Sequence, residues 1–489
     1  MSAVQKLAKN TTLLFISQIV NYILGFFITM YTARYLGTAG FGTLAIGLNL
    51  AYIFAVFTDL GLGTITTREV SRDKSLQNKY FSNTSILRIG LALLTFISIV
   101  LYVNIANFFT HMYPPQTVLV IYIIGASIIL NGLSGTFTAI FQALQKMEYQ
   151  SISLIINGIL MFIGTLLVIY LNKSIIFFAL LYVISNFVCL LFILGVYLRK
   201  FSLPKFDFDS TFIKITLLAA LPLSVVSIFT LIAFRVDTVL ISLLKPSMDV
   251  GIYSASYRLL EVFLFIPAVF TTAVFPVFSQ FFVSAKDSLK FTYQKSFKYL
   301  TILSLPVAVG VTLLAQPIIL LIYKSSFLPS VLVLQILIWT IPITFLNYIF
   351  GSILPAMNRQ TTLLKITFIS MVFNIAVNLV VIPIYSYVGA AVVTVLTEVI
   401  VIALCFFVLS KSFCSVNIPN VLIKPAIASA VMALFIITVK TNLFVVIIIS
   451  IIIYFTVLIL IKTFNQEDFD IIGQIIPLEK FQFLKRFFK

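Results

Sequence analysis

The sequence predicts an all-α, polytopic membrane protein. About fourteen transmembrane helices form two six-helix lobes around a central cavity, with two further helices at the C-terminus. Three observations predict it. The 489 residues are 61% hydrophobic and only 10% charged, whereas about a quarter of a soluble domain is charged. Apolar runs of about 20 residues, the length that crosses a bilayer as a helix, recur along the whole chain. The first twelve runs also read as two successive sets of six with matching local sequence.

The spans fall at 11–33, 42–64, 84–107, 117–141, 150–171, 175–198, 218–244, 251–280, 297–323, 330–353, 361–384, 388–410, 421–440 and 442–462. Lys6 and Lys9 precede an apolar run from Leu13 to Tyr31 that is too long for a signal-peptide core and has no small-residue cleavage pattern after it, so it reads as the first retained span. The eighth span is long and carries Pro267 and Pro276, which predicts a bend. No loop is long enough to fold separately. The expected divisions are 1–210 (first lobe), 211–415 (second lobe) and 416–489 (the last two spans and a basic tail). The tail, "IIGQIIPLEKFQFLKRFFK", mixes apolar and basic residues as an interfacial segment does.

Orientation follows from loop lysines and arginines. With the N-terminus inside, the outer loops hold Arg34, Lys173, Lys245, Lys324 and Lys440, and six more (Arg88, Lys214, Arg235, Arg258, Lys365, Lys424) lie in or near span ends. The remaining 21 of the 32 basic residues fall inside. Both termini are therefore expected in the cytoplasm. The net charge of +17 reflects topology, since the basic residues lie between apolar spans and not on a folded nucleic-acid-binding domain.

"GFGTLAIG" after span 1 resembles "VGIYSASY" after span 7, pairing Gly42 with Gly251 at an offset of 209. "FQALQKMEY" after span 4 resembles "LPAMNRQTT" after span 10 at an offset of 213, which "VIY" at Val168 and "VIP" at Val381 keep. Common order and near-constant offset indicate duplication. Six is even, so the halves share an orientation, as in transporters whose site lies between two repeats. Mapping span 1 forward carries span 7 to about Leu244 and puts Arg235 and Asp237 inside the helix.

Charges within spans are costly and are functional candidates. Arg235 and Asp237 on span 7, and Arg258 and Glu261 on span 8, all lie ~10–15 Å below the outer edge at 1.5 Å per residue. Arg258 and Glu261 share a face at i, i+3, with Tyr253 and Tyr257 leading to Glu261 at steps of four. Either the four charges lock the hairpin as ion pairs, or an arginine holds a substrate phosphate through its planar fork. Asp59 and Arg88 both fall near the inner face, where a structural pair or gate is expected. Glu398, near mid-depth in span 12, is a candidate for coupling to H+ or Na+; a hydroxyl partner is the alternative. Gln18 and Asn21 share one face of span 1 with Gly25, either lining the cavity or gluing helices. Asn374 and Asn378 form a similar pair. Cys189, Cys405 and Cys414 match neither a disulfide framework nor a zinc pattern, His111 reads as a loop residue, and no metal-ligand set or catalytic motif stands out.

The segments "ARYLGTAGFG" (33–42), "FTDLGLG" (57–63), "TREVSR" (67–72), "RVDTVLIS" (235–242), "VGIYSASYRLLEV" (250–262), "FQALQKMEY" and "PIYSYVGAAVVTVLTE" (383–398) resemble the polysaccharide transporter branch of the multidrug/oligosaccharidyl-lipid/polysaccharide (MOP) exporter superfamily, the Wzx-like flippases. Thr38 departs from the proline frequent there. The resemblance covers about 5–462. It implies two six-helix lobes working by alternating access, no catalysis, and a polyprenyl-(pyro)phosphate-linked glycan moved between leaflets of the cell membrane, with membrane lipids as the other partner and no nucleic acid. A drug/cation antiporter of the same superfamily is the alternative, but it favours a carboxylate-dominated cavity. A glycan polymerase or ligase commonly presents a sizeable outer loop, and the longest outer break here is about ten residues.

Overall fold

The computed structural model describes residues 3–110, 112–201, 207–439, 441–465 and 467–468. Among them the regular elements are helices: α1 (Ala3–Asp59), α2 (Leu62–Arg72), α3 (Gln77–Thr110), α4 (Pro115–Ala143), α5 (Met147–Tyr170), α6 (Ile175–Lys200), α7 (Ser210–Leu244), α8 (Ser247–Phe263), α9 (Phe265–Ser284), α10 (Lys286–Tyr323), α11 (Ser330–Leu337), α12 (Thr340–Ala356), α13 (Gln360–Ser412), α14 (Ile418–Thr438) and α15 (Leu443–Leu460), with single 3-10 turns at Lys74–Leu76 and Ser325–Phe327. His111 and the C-terminal tail lie outside the described residues.

Among the described residues eleven continuous helical stretches are long and apolar enough to cross a membrane, against the fourteen spans expected, a count that is not confirmed. The difference has a physical source. Helix α1 holds 57 residues and α13 holds 53, so either would rise about 80 Å if straight, far beyond the ~30 Å hydrocarbon core. Left-handed Gly37 (φ 66°) divides α1, and left-handed Ser386 (φ 50°) divides α13. Gly37 has no Cβ to resist that conformation, while the Ser386 hydroxyl donates to the Asp249 carboxylate. Helix α7 is not among the eleven; its stretch Ser210–Leu221 is apolar but shorter.

The chain packs as two compact units. One comprises the chain up to Ala255 with Ile322–Phe327 and Met371–Ala390; the other comprises Ser256–Leu321, Leu328–Ser370 and the chain from Ala391 on.

In the first unit, α1 and α8 cross through the paired glycines. A Cβ on Gly42 would lie 1.7 Å from the Ser247 carbonyl oxygen, and one on Gly251 would lie 2.0 Å from that of Thr38. Thr38 and Ser247 are separated by the same 209 residues as the glycines. The contact is thus reciprocal, with each residue meeting the copy of the one that meets it, as at a two-fold interface. Only residues without side-chain bulk let backbones approach this closely. The lead into α7 is fixed to α3: the Asp209 carboxylate accepts from the Phe212 amide (2.9 Å) and pairs with Lys79 (2.9 Å), while Asn83 accepts from the Asp209 amide and donates to the Asp207 carbonyl.

In the second unit, two prolines explain two interruptions. Pro267 has no N–H for the Phe263 carbonyl, and the helix breaks at Leu264, which falls back to an i−3 bond with Glu261 (3.2 Å). The expected bend of span 8 lies here. Pro342 likewise leaves the Ile338 carbonyl without its helical donor, and the chain is interrupted at Ile338–Trp339 between α11 and α12. Beyond α15, buried Asp468 accepts from Lys295 (2.6 Å), Lys298, Tyr299 (2.8 Å) and the Asn465 amide (2.8 Å). Burial alone would raise its pKa; the two ammonium groups and the other donors outweigh it and hold the carboxyl down at about 2.

The duplication also appears as hydrogen bonds. At the α4–α5 turn, Leu144, Gln145 and Lys146 donate to the carbonyls of Ile140, Gln142 and Phe141. At the α12–α13 turn, Met357, Asn358 and Arg359 donate to Ile353, Pro355 and Leu354. Every donor and acceptor is displaced by 213 residues, and Gln145 (φ 57°) and Asn358 (φ 59°) share the left-handed conformation.

Candidate functional site

Helix α7 runs unbroken to Leu244, so Arg235 and Asp237 lie inside it. Arg235 is half-buried. Its Nη1 lies 3.4 Å from Asn49 Oδ1 on α1, a long contact, and its guanidinium sits 5.3 Å from the centroid of Tyr52, within cation–π range. Asp237 is buried, and a neutral donor reaches each of its oxygens: Tyr253 OH from α8 (3.1 Å) and Asn378 Nδ2 from α13 (2.8 Å). Asn378 also donates to Asn374 Oδ1 (3.1 Å). Of the tyrosines that lead to Glu261, Tyr253 thus gives its hydroxyl to Asp237. The asparagine pair read as separate supplies that carboxylate.

In the second unit, Arg258 Nη1 and Glu261 Oε2 pair at 2.7 Å one turn apart. Glu398 Oε2 accepts from Asn347 Nδ2 at 2.6 Å. On α1, Asn21 donates to the Ser17 carbonyl and to the Leu154 carbonyl of α5 (2.9 Å), the geometry of helix–helix glue, and Gln18 is exposed.

Asp59 and Arg88 come together as an ion pair within the first unit. Arg88 is 3% exposed, but the Asp59 side chain is 48% exposed. The guanidinium passes between two glycines: a Cβ on Gly135 would come within 2.3 Å of Nη1, and one on Gly63 within 3.0 Å of Nη2. The Gly63 amide donates to Asp59 Oδ1 (3.1 Å). Beside the pair lies a cavity of about 440 Å³, whose walls carry Asn131, Ser134, Gln142, Gln150, Asn157 and Asn186 among others. Gln142 Nε2 bonds Gln150 Oε1 (3.0 Å), and Asn157 Nδ2 bonds Asn186 Oδ1 (3.3 Å). These carboxamides were missed from sequence, although a signal existed. Gln150, Ser153 and Asn157 recur at i, i+3, i+7 in an otherwise apolar span, which places them on one face.

Comparison with known proteins decides the family. The profile described as "Polysaccharide biosynthesis protein" matches residues 7–282, more than half of the chain. The chain belongs to the polysaccharide biosynthesis protein family. A second profile, MatE, matches residues 222–380 of this family member, in keeping with the MOP superfamily read from its motifs. Among curated relatives, "Probable flippase AglR" of Haloferax volcanii is 22% identical over 408 residues, covering 80% of this chain and 81% of the relative. "Probable low-salt glycan biosynthesis flippase Agl15" of the same organism is 26% identical over a shorter 164 residues, a third of either chain. Among solved structures, the lipid II flippase MurJ in an inward closed conformation superposes with a TM-score of 0.77 at 17% identity, over 91% of this chain and 98% of its own. An inward-facing multidrug resistance MATE family transporter of the MOP superfamily gives 0.66 at 14% identity, over 80% and 95%. At these identities the likeness is one of fold.

Proposed function

We propose that this family member is a flippase that carries a lipid-linked glycan from the inner to the outer leaflet of the cell membrane by alternating access. The observation that carries the reading is the family match over residues 7–282; relatives named as flippases support it. The passenger is a glycan on a polyprenyl (pyro)phosphate. Its polar part crosses through the protein while the lipid tail stays in the bilayer. Taking a phosphate out of water is costly unless it is paired, and Arg235 and Arg258 are the groups suited to it: both are only partly buried and both lie on membrane helices. Glu398 is the carboxylate placed to couple movement to H+ or Na+. Both termini lie in the cytoplasm, as the basic loops require. No step is catalytic.

The MatE match over 222–380 favours a second reading, antiport of a cationic drug. Arginine at 235 and 258 opposes a cationic passenger. Reconstitution separates the two: the flippase reading expects a fluorescent lipid-linked oligosaccharide to cross proteoliposomes in a protein-dependent way, with no protein-dependent uptake of a cationic dye. Dye uptake without lipid movement would reverse the choice.

A further inference from the structure

The cavity beside Asp59 and Arg88 has a composition that neither a simple ion nor an apolar drug accounts for. Its two charged lining residues are opposite in sign and bonded to each other, so the walls carry no net charge to select an anion or a cation. None of the described lining residues is aromatic, and ligand pockets for apolar molecules are rich in such surface. The walls instead present carboxamides from three helices: Gln142 from α4, Gln150 and Asn157 from α5, and Asn186 from α6.

A carboxamide has two donors and an acceptor oxygen with two lone pairs, and each described amide–amide bond engages one donor and one acceptor. That is the complement of a hydroxyl group, which both donates and accepts. Asp59 adds acceptor capacity, since its side chain is half exposed. Arg88, almost fully buried, holds that carboxylate in place. It is accommodated by two glycines, either of which would strike the guanidinium if it carried a methyl. A volume of about 440 Å³ falls in the range of small-molecule sites.

We infer that this cavity is a subsite for the neutral, polyhydroxylated part of the passenger, one or two uncharged sugar residues, held by hydrogen bonds to the carboxamides and to Asp59. As a step in transport the inference rests on the flippase reading; as a binding site it can be measured without it. The sugar would be recognised separately from its phosphate, which the arginines of α7 and α8 suit. Recognition by amides without aromatic stacking is loose, and it suits a carrier that must release what it binds.

The test uses the full chain purified in detergent. Saturation-transfer NMR with a panel of neutral disaccharides, built from hexose and N-acetylhexosamine, measures binding without transport. At least one disaccharide should bind wild type, and Gln150→Leu and Asn157→Ala should each weaken it tenfold or more, with Asn420→Ala, exposed on α14, as the unchanged control. Melting curves confirm that each variant is folded. Absence of binding across the panel, or binding that both cavity variants leave unchanged, overturns the subsite. A second arm reconstitutes the same proteins with polyprenyl diphosphate carrying the bound disaccharide and with the bare carrier. The cavity variants should slow the glycosylated lipid tenfold and leave the bare one at the wild-type rate; equal slowing of both overturns sugar recognition. Wild type that binds the disaccharide but flips neither lipid sinks the flippase reading and leaves the binding site standing.

Discussion

The two copies of the repeat share a turn between helices and differ in the chemistry beside it. The turns at Gln145 and Asn358 repeat bond for bond at an offset of 213. The same offset carries the amides Gln142, Gln150 and Asn186 of the first copy onto Pro355, Leu363 and Val399 of the second. It also carries Ser134 and Ser185 onto Asn347 and Glu398, which are bonded to each other. Backbone hydrogen bonds constrain both copies equally, because a buried unpaired carbonyl is costly wherever it occurs. Side chains facing a cavity carry no such constraint. The turn is therefore kept while the walls differ: amides that line a cavity in the first copy, and apolar residues and a carboxylate–amide contact at the matching positions of the second.

The largest effect should come from the ion pair of the first copy. Asp59→Ala leaves Arg88 almost fully buried without its carboxylate, which should cost about 3 kcal/mol, whereas Arg88→Ala leaves a half-exposed carboxylate and should cost about 1 kcal/mol. Thermal unfolding in detergent gives both, and equal losses would show that the cavity does not hydrate Asp59. The crossing of the two copies comes next. Gly42→Ala and Gly251→Ala should each destabilise by about 2–3 kcal/mol through overpacking, and by similar amounts because the contact is reciprocal. One tolerated and one lethal substitution would break the equivalence.

The second unit's own charged centre, Asp468, should add a dependence on pH. Its pKa is lowered from an ordinary 3.8 to about 2, so its contribution is full above pH 4 and lost as pH falls through 2. The difference amounts to about 2 kcal/mol. Melting temperature against pH should flatten in that window in Asp468→Asn. The smallest change in stability should follow from giving the first copy the second copy's residue. Gln150→Leu removes one amide bond and should cost under about 1 kcal/mol while abolishing sugar binding. A large loss of stability would make the amides structural.

Much of this was legible in the sequence because membrane burial is written in runs and charges. The extent of α7 through Arg235 and Asp237 followed from the repeat, and the pairing of Asp59 with Arg88 from their shared depth. The number of separate helices was not legible. Hydropathy drops between spans 1 and 2 and between spans 11 and 12, yet only single residues, Gly37 and Ser386, leave the helix there. The partners of Asp237 were also hidden. Tyr253 and Asn378 lie 16 and 141 positions away, and helical spacing relates only residues on one helix. The cavity amides were visible as a stripe on span 5, but the stripe does not reveal that α4 and α6 face it with amides of their own.

The central claim is movement of a lipid-linked glycan, and one measurement addresses it directly. Purified protein is reconstituted into liposomes with a fluorescent polyprenyl-diphosphate oligosaccharide, and the fraction reachable by a membrane-impermeant quencher is followed in time. The account predicts that lipid of the inner leaflet becomes quenchable in wild-type vesicles, and at least tenfold more slowly with Arg235→Ala. Quenching that stops at the outer-leaflet fraction in wild-type vesicles, as in protein-free ones, would contradict it.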